Sequence, residues 1–254
     1  MTQAAAKTSP EAINLDEIIA LVRDVLPKQA AVTAGGEDLS AYAPIFRWLA
    51  AAQQKNTPAI IHPRIALFAA AHGAATDKVE SALTALGAGK HKLTALAADS
   101  NADLQVYDLT GADTIGALEP SEAAHAVSYG LMAVQPGIDL LVMAALNPDA
   151  ETAGKNIIAA LQAGKAPMTA LTDSGALDIC AMLGALAAAR LAHIPVILDG
   201  AAAEAAAALM TALRADAADH ARRTDDIMAQ AGTLHAPMGG ALLLSFLKSL
   251  VKAG

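Results

Sequence analysis

A chain of 254 residues with 55% hydrophobic but only 3% aromatic side chains can bury a full core, and must fill it with alanine and aliphatics rather than rings. Its formal charge of −8 and pI near 5.3 argue against the basic patch that nucleic acid or an anionic membrane surface requires. Mean hydropathy of +0.40 invites a membrane reading, yet the apolar run at residues 179–189 falls short of the roughly 20 residues of a span and is stopped by Arg190 and His193.

The opening residues hold no apolar signal core, so the cytoplasm is the expected compartment. Residues 9–26 read as a helix, with Ser9 or Asn14 as its cap and Ile18, Leu21, Val22 and Val25 on one face. A glycine-containing loop then leads to a helix carrying Ile45, Phe46, Trp48 and Leu49. "RIALFAA", residues 64–70, is the first buried-strand pattern, and "DLQVYDL", residues 103–109, is the second. Pro120, Ser121 and Glu122 mark a helix start. "GIDLLVMAAL" is the third strand, ending at Asn147-Pro148, and two helices follow it. The second of these holds Cys180, the only cysteine. It excludes an intrachain disulfide and reads as a packed thiol. "IPVIL" is the fourth strand, and it runs through Asp199-Gly200 into an alanine helix. Arg222-Arg223 and Asp225-Asp226 read as the solvated face of a later helix, and an apolar helix closes the chain.

Continuous apolar strands alternating with helices of ten or more residues imply a parallel sheet covered on both faces. The expected fold is therefore α/β: a single-domain, three-layer, Rossmann-like parallel sheet with helical crossovers. Helices within 10–55 and 216–254 are expected to form a small helical subdomain. In open sheets of this kind, ligands bind outside the carboxyl ends of the strands. His72-Gly73, Asp108, Asn147 and Asp199-Gly200 stand at such ends, with no metal motif beside them, and no cofactor is implied.

Three segments together resemble one family. "SGALDICAMLGALAAARLAHIPVILDG" is similar to its glycine pair, Leu-Glu-Ile-Ala, small-residue helix and Pro-Val-Val-Leu-Asp-Gly. "HPRIALFAAAHG" resembles its strand ending in Ala-Ala-Asp-His-Gly, and "ADLQVYDL" its Ala-Glu-Leu-x-Val-x-Asp strand. The family is the nicotinate-nucleotide:dimethylbenzimidazole phosphoribosyltransferases of cobamide lower-ligand synthesis. The resemblance implies transfer of phosphoribose from nicotinate mononucleotide to an aromatic base. It also implies a small-molecule nucleotide or base as ligand, and a homodimer. Motifs are missing, however. Pro237 stands where the family's base-activating carboxylate is expected, and "VMAALNPDAE" replaces its glycine-rich phosphate loop, leaving only Asn147. Ala71 replaces the Asp before His-Gly, "TAGGEDLSA" replaces the N-terminal Lys-Pro-Pro-Gly-Ser-Leu-Gly, and the Ser-x-Tyr-Pro-Gln segment has no counterpart.

These losses leave each candidate with two readings. His235, two residues before the lost carboxylate, is a substitute base or a capping histidine. His72-Gly73 is a ligand contact or a strand-exit turn, and Asp199-Gly200 a ligand contact or a helix N-cap. Met238, Gly239 and Gly240 offer an anion cradle at a helix start, or only close packing. Asp178 reads as first-turn complement to the helix dipole. The rebuilt site is compatible with a working transferase. That is the nominal function the resemblance implies, and the alternative, favoured by the missing motifs, is an inactive protein of the same fold that binds a nucleotide or aromatic base or partners a full-length homologue.

Overall fold

In the computed structural model, residues 14–28, 42–111, 116–231 and 239–253 are described. The strands are β1 (Pro63–Ala69), β2 (Asp103–Asp108), β3 (Leu140–Ala145), β4 (Val196–Asp199) and β5 (Ala221–Arg223). All pair in parallel, in the order β2-β1-β3-β4-β5. The helices, in chain order, are α1 (Leu15–Ala20), α2 (Ala43–Gln53), α3 (Thr76–Gly87), α4 (Lys92–Asp99), α5 (Pro120–Leu131), α6 (Asp149–Gln162), α7 (Pro167–Thr172), α8 (Leu177–Leu191), α9 (Ala201–Leu213), α10 (Thr224–Ala231) and α11 (Gly239–Ala253), with a π-helical turn, Leu21–Val25, continuing α1.

Side chains alternate across a strand, so each strand feeds two cores. Ala66, Phe68, Leu141, Met143, Val196 and Leu198 face one layer, with α5, α8 and α9. Ile65, Leu67, Leu140, Val142 and Ile197 face the other, with α2, α4 and α11. The helices nearest the termini are divided between these layers: Ile18 and Val22 join the first cluster, while α2, α10 and α11 share the second.

Asn14 caps α1 through a reciprocal box with Glu17, and Pro120 opens α5, where Glu119 and Glu122 form another. In α5 and α8 small residues let two backbones touch. A Cβ added at Gly184 would run into the Val127 carbonyl, and one at Gly130 into the Ala181 carbonyl. With few rings to fill space, close helix approach replaces bulky interdigitation.

One expectation is corrected. Arg222-Arg223 lies on the edge strand β5, and only Asp225-Asp226 opens a helix. A three-residue strand is too short to display an alternating pattern, and Ala221 is its only buried member.

Candidate functional site

At the carboxyl edge of the sheet two cavities flank α6, one on each side. The first, about 560 Å³, is floored by Ile65, Leu67, Val142 and Leu198 and rimmed by Glu151, Lys155, Asp199, Glu204 and Arg223. The second, about 540 Å³, takes in His72, Gly73, Asp149, Thr152, Asn156 and Ser174. The corners at the ends of β1 and β4 therefore share an edge but open into different spaces. Between them lies β3, whose chain continues through Asn147 into the first turn of α6.

Asp199 sits at the base of the first cavity. Its carboxylate accepts from the Gly240 N–H at 3.2 Å, and the Thr224 hydroxyl, 3.4 Å away, shares its hydrogen with the Leu198 carbonyl at 3.1 Å. Burial pushes its pKa above the ordinary carboxylate value. The Gly240 and Thr224 donors oppose this, while the Glu151 and Asp225 charges add to it. The N-cap reading of Asp199 is corrected, because α9 is capped from elsewhere: Glu151 Oε2 accepts from the Ala201 N–H at 2.9 Å. Gly200 is the residue before that helix, at φ 94, and Glu151 occupies the place where a Cβ would stand. Arg223 pairs with Glu204 at 3.0 Å, whereas Lys155 makes no ion pair among the described residues.

A pattern runs along this edge. A helix start, with its free N–H groups and positive dipole end, is an anion site. At α9 the anion is Glu151, and at α11 it is Asp199. Before α3 it is Asp149, whose Oδ2 accepts from Ala74 and Ala75 at 2.6 and 3.0 Å. The chain supplies its own carboxylate to each. The glycine cradle at the start of α11 thus has its Gly240 N–H already engaged.

Asn147 is fully buried and committed to the backbone. Its Nδ2 donates to the Ala70 and His72 carbonyls at 3.0 and 2.9 Å, and its Oδ1 accepts from Asp149 N–H at 2.9 Å. The expectation of a ligand contact there is replaced by a clamp that holds the His72 loop against α6. His72 lines the second cavity, and its Nε2 lies 3.1 Å from both oxygens of Asp178, which is wholly buried. Desolvation lowers the His72 pKa, but the Asp178 hydrogen bond and charge, with Asp149 behind them, outweigh it and raise the pKa overall. Asp178 does stand in the first turn of α8, yet its work is this pair. Two charged residues, Asp178 and Arg190, interrupt that otherwise apolar helix. An acid on a helix with no polar face must be buried and paired, and that signal was available in the sequence. Nothing in the sequence pointed to Asp149 or Glu151.

His235 and Met238 lie outside the described residues, and Gly239 is described only as the first residue of α11. Among the described residues no cluster of three or more potential metal ligands occurs, and no helix is long and apolar enough to cross a membrane.

Comparison with known proteins gives a consistent result. A phosphoribosyltransferase family, DBI_PRT, matches residues 151–236. The nicotinate-nucleotide–dimethylbenzimidazole phosphoribosyltransferase of Brucella anthropi is 28% identical over 247 residues, spanning 78% of this chain and 73% of its own. That of Brucella canis is 27% identical over the same shares. The crystal structure of the corresponding Thermus thermophilus protein superposes with a TM-score of 0.71 at 17% identity, over 93% of this chain and 95% of that one, and so has the same fold. The chain is thus similar in sequence to the CobT-like phosphoribosyltransferases and shares the fold of the Thermus protein.

Proposed function

We propose that this chain binds an aromatic nitrogen base of the benzimidazole type in the first cavity. In this reading it transfers phosphoribose to that base from nicotinate mononucleotide, the reaction for which its relatives are named. The observation that carries the proposal is Asp199: a carboxylate at the foot of an apolar cavity, with its proton affinity raised by burial. An apolar floor suits a flat heterocycle, and an acceptor with raised pKa is better matched to taking a ring N–H proton than an exposed one would be. Asp199 would thus take over the work of the carboxylate that Pro237 displaces. Lys155 on the rim is the cation available to the substrate phosphate.

A second reading is favoured by the filled helix starts. With Asp149 on N–H groups before α3, and Glu151 and Asp199 on N–H groups in the first turns of α9 and α11, a dianionic phosphate must displace a carboxylate to use those groups. That arrangement suits a protein that holds the base without transferring to it, as a homodimer or as partner of a full-length homologue in the cytoplasm. One experiment separates the readings. The purified protein is incubated with nicotinate mononucleotide and dimethylbenzimidazole, nicotinate release is followed, and base binding is measured by calorimetry in parallel. Release supports transfer; binding without release supports the second reading; neither binding nor release removes both.

A further inference from the structure

The second cavity is not explained by base binding, and its chemistry is of another kind. Here an imidazole is held by a buried carboxylate through one ring nitrogen, while its other nitrogen, Nδ1, makes no hydrogen bond among the described residues. Beside it stands a carboxylate with one oxygen committed. Asp149 Oδ2 takes the two N–H groups before α3, and Oδ1 takes none among the described residues. Thr152 and Asn156, one helical turn apart on α6, present a hydroxyl and an amide to the same space and are both exposed.

We infer that this cavity is a binding site for a neutral ribosyl group, in which Asp149 Oδ1 and His72 Nδ1 together hold a vicinal diol. A free carboxylate oxygen is an acceptor for a hydroxyl, and Asp149, the first residue of α6, presents one at the carboxyl edge of the sheet. Histidine can accept from or donate to the neighbouring hydroxyl, and Asp178 fixes the orientation of its ring. Asn156 and Thr152 complete the set with groups that act in either sense. An anionic ligand is disfavoured. Asp149 lines the cavity and Asp178 stands behind His72, and the Lys165 ammonium is already paired with Asp173 at 2.5 Å. The inference does not rest on the transfer reading, since no residue of the first cavity takes part in it.

The test uses sugars with no aromatic base, so that the first cavity is not a competitor. The full chain, labelled at its histidine rings, is titrated with methyl β-D-riboside, with the 2-deoxy analogue that lacks the diol, and with ribose 5-phosphate. The His72 resonance is expected to shift with the riboside, to respond at least tenfold more weakly to the deoxyriboside, and to respond least to the phosphate. His72→Gln is expected to abolish binding. Because that side chain is largely buried and the variant could fail to fold, Asn156→Leu on the exposed face of α6 provides an independent check, and it is expected to weaken riboside binding at least tenfold. An unshifted His72 resonance, equal response to the deoxyriboside, tighter binding of the phosphate, or binding unchanged in Asn156→Leu would each overturn the proposal. Benzimidazole binding measured on the same sample reports on the first cavity separately.

Discussion

The two cavities flanking α6 are of nearly equal size and share one helix as a wall, yet they are built for different work. The first is apolar at its floor, and its acid, Asp199, is held by a single backbone N–H and half of a threonine hydrogen. The second has a charged pair sunk into its wall, with Asp178 entirely out of solvent and His72 clamped on both carboxylate oxygens. A weakly restrained carboxylate can change protonation during a reaction; a carboxylate locked to an imidazole serves to fix geometry. The same residue types thus perform different tasks according to how many partners they have.

The comparison breaks most sharply at Asp199. Asp199→Asn keeps an acceptor for the Gly240 N–H but cannot take a proton, so the turnover of the proposed transfer should fall by about a thousandfold, within the usual range for removing a general base. Base affinity should change little, because the apolar floor is untouched. Steady-state kinetics with calorimetry would measure both. Undiminished turnover in Asp199→Asn would remove Asp199 from the chemistry.

The second cavity should answer in stability instead. Asp178→Ala strands His72 and opens a void inside α8, and removing one partner of a buried pair costs about 3 kcal/mol. Denaturant unfolding should report that loss, while benzimidazole binding across α6 stays as it was. A variant that lost base binding without losing stability would mean the cavities are coupled.

How much of this was legible follows from distance along the chain. Strands β1, β3 and β4 are visible as continuous apolar runs, with boundaries within a few residues, because burial on both faces leaves a purely local signature, whereas β2 at the sheet edge is largely exposed and shows itself by alternation. Asp199-Gly200 and His72-Gly73 were legible for the same reason: each closes such a run. Their partners were not. Asp149 reaches N–H groups 74 and 75 residues away, Glu151 one 50 residues away, and Asp178 a histidine 106 residues away. In sequence Asp149 and Glu151 are simply acids in the first turn of a helix, where the dipole already accounts for them, and the apolar helix around Asp178 marks it as buried without naming its partner. Strand β5 failed differently, being only three residues long.

Two buried histidines sharpen the contrast through pH. His72 has its pKa raised, so its pair with Asp178 contributes fully below the unfolded value near 6.5 and fades as pH rises through the folded value. His220 is the reverse. Burial pushes its pKa down to about 3, with the Arg190 charge adding to this, and among the described residues its hydrogen-bond partner is the Leu186 carbonyl, at 3.0 Å. It is neutral in the fold, so its contribution is whole above about 6.5 and is lost as pH falls toward 3, at up to about 1.4 kcal/mol per pH unit. His220→Gln, which keeps a donor for Leu186 and cannot protonate in this range, should flatten the acid side of the stability curve. His72→Gln should flatten the alkaline side. Unfolding free energies measured from about pH 4 to about pH 9 would reveal either slope, and identical curves for both variants would contradict the opposite signs.

The smallest effect is expected where the two cavities meet. Glu151 and Asp149 lie two residues apart on the first turn of α6, and each fills a helix start belonging to a different cavity. Glu151→Gln keeps an acceptor for Ala201 N–H but removes the charge that competes with an incoming phosphate. Inorganic phosphate should then bind a few-fold more tightly at the first cavity, since a charge near a helix start is worth roughly 0.3–1 kcal/mol. Asp149→Asn should leave that affinity unchanged, because its carboxylate sits before α3 on the far side of the helix. Phosphate titrations of the two variants, followed by calorimetry at low salt, test the pair. A gain for both, or for neither, would mean that α6 does not divide the anion sites of this edge as its hydrogen bonds imply.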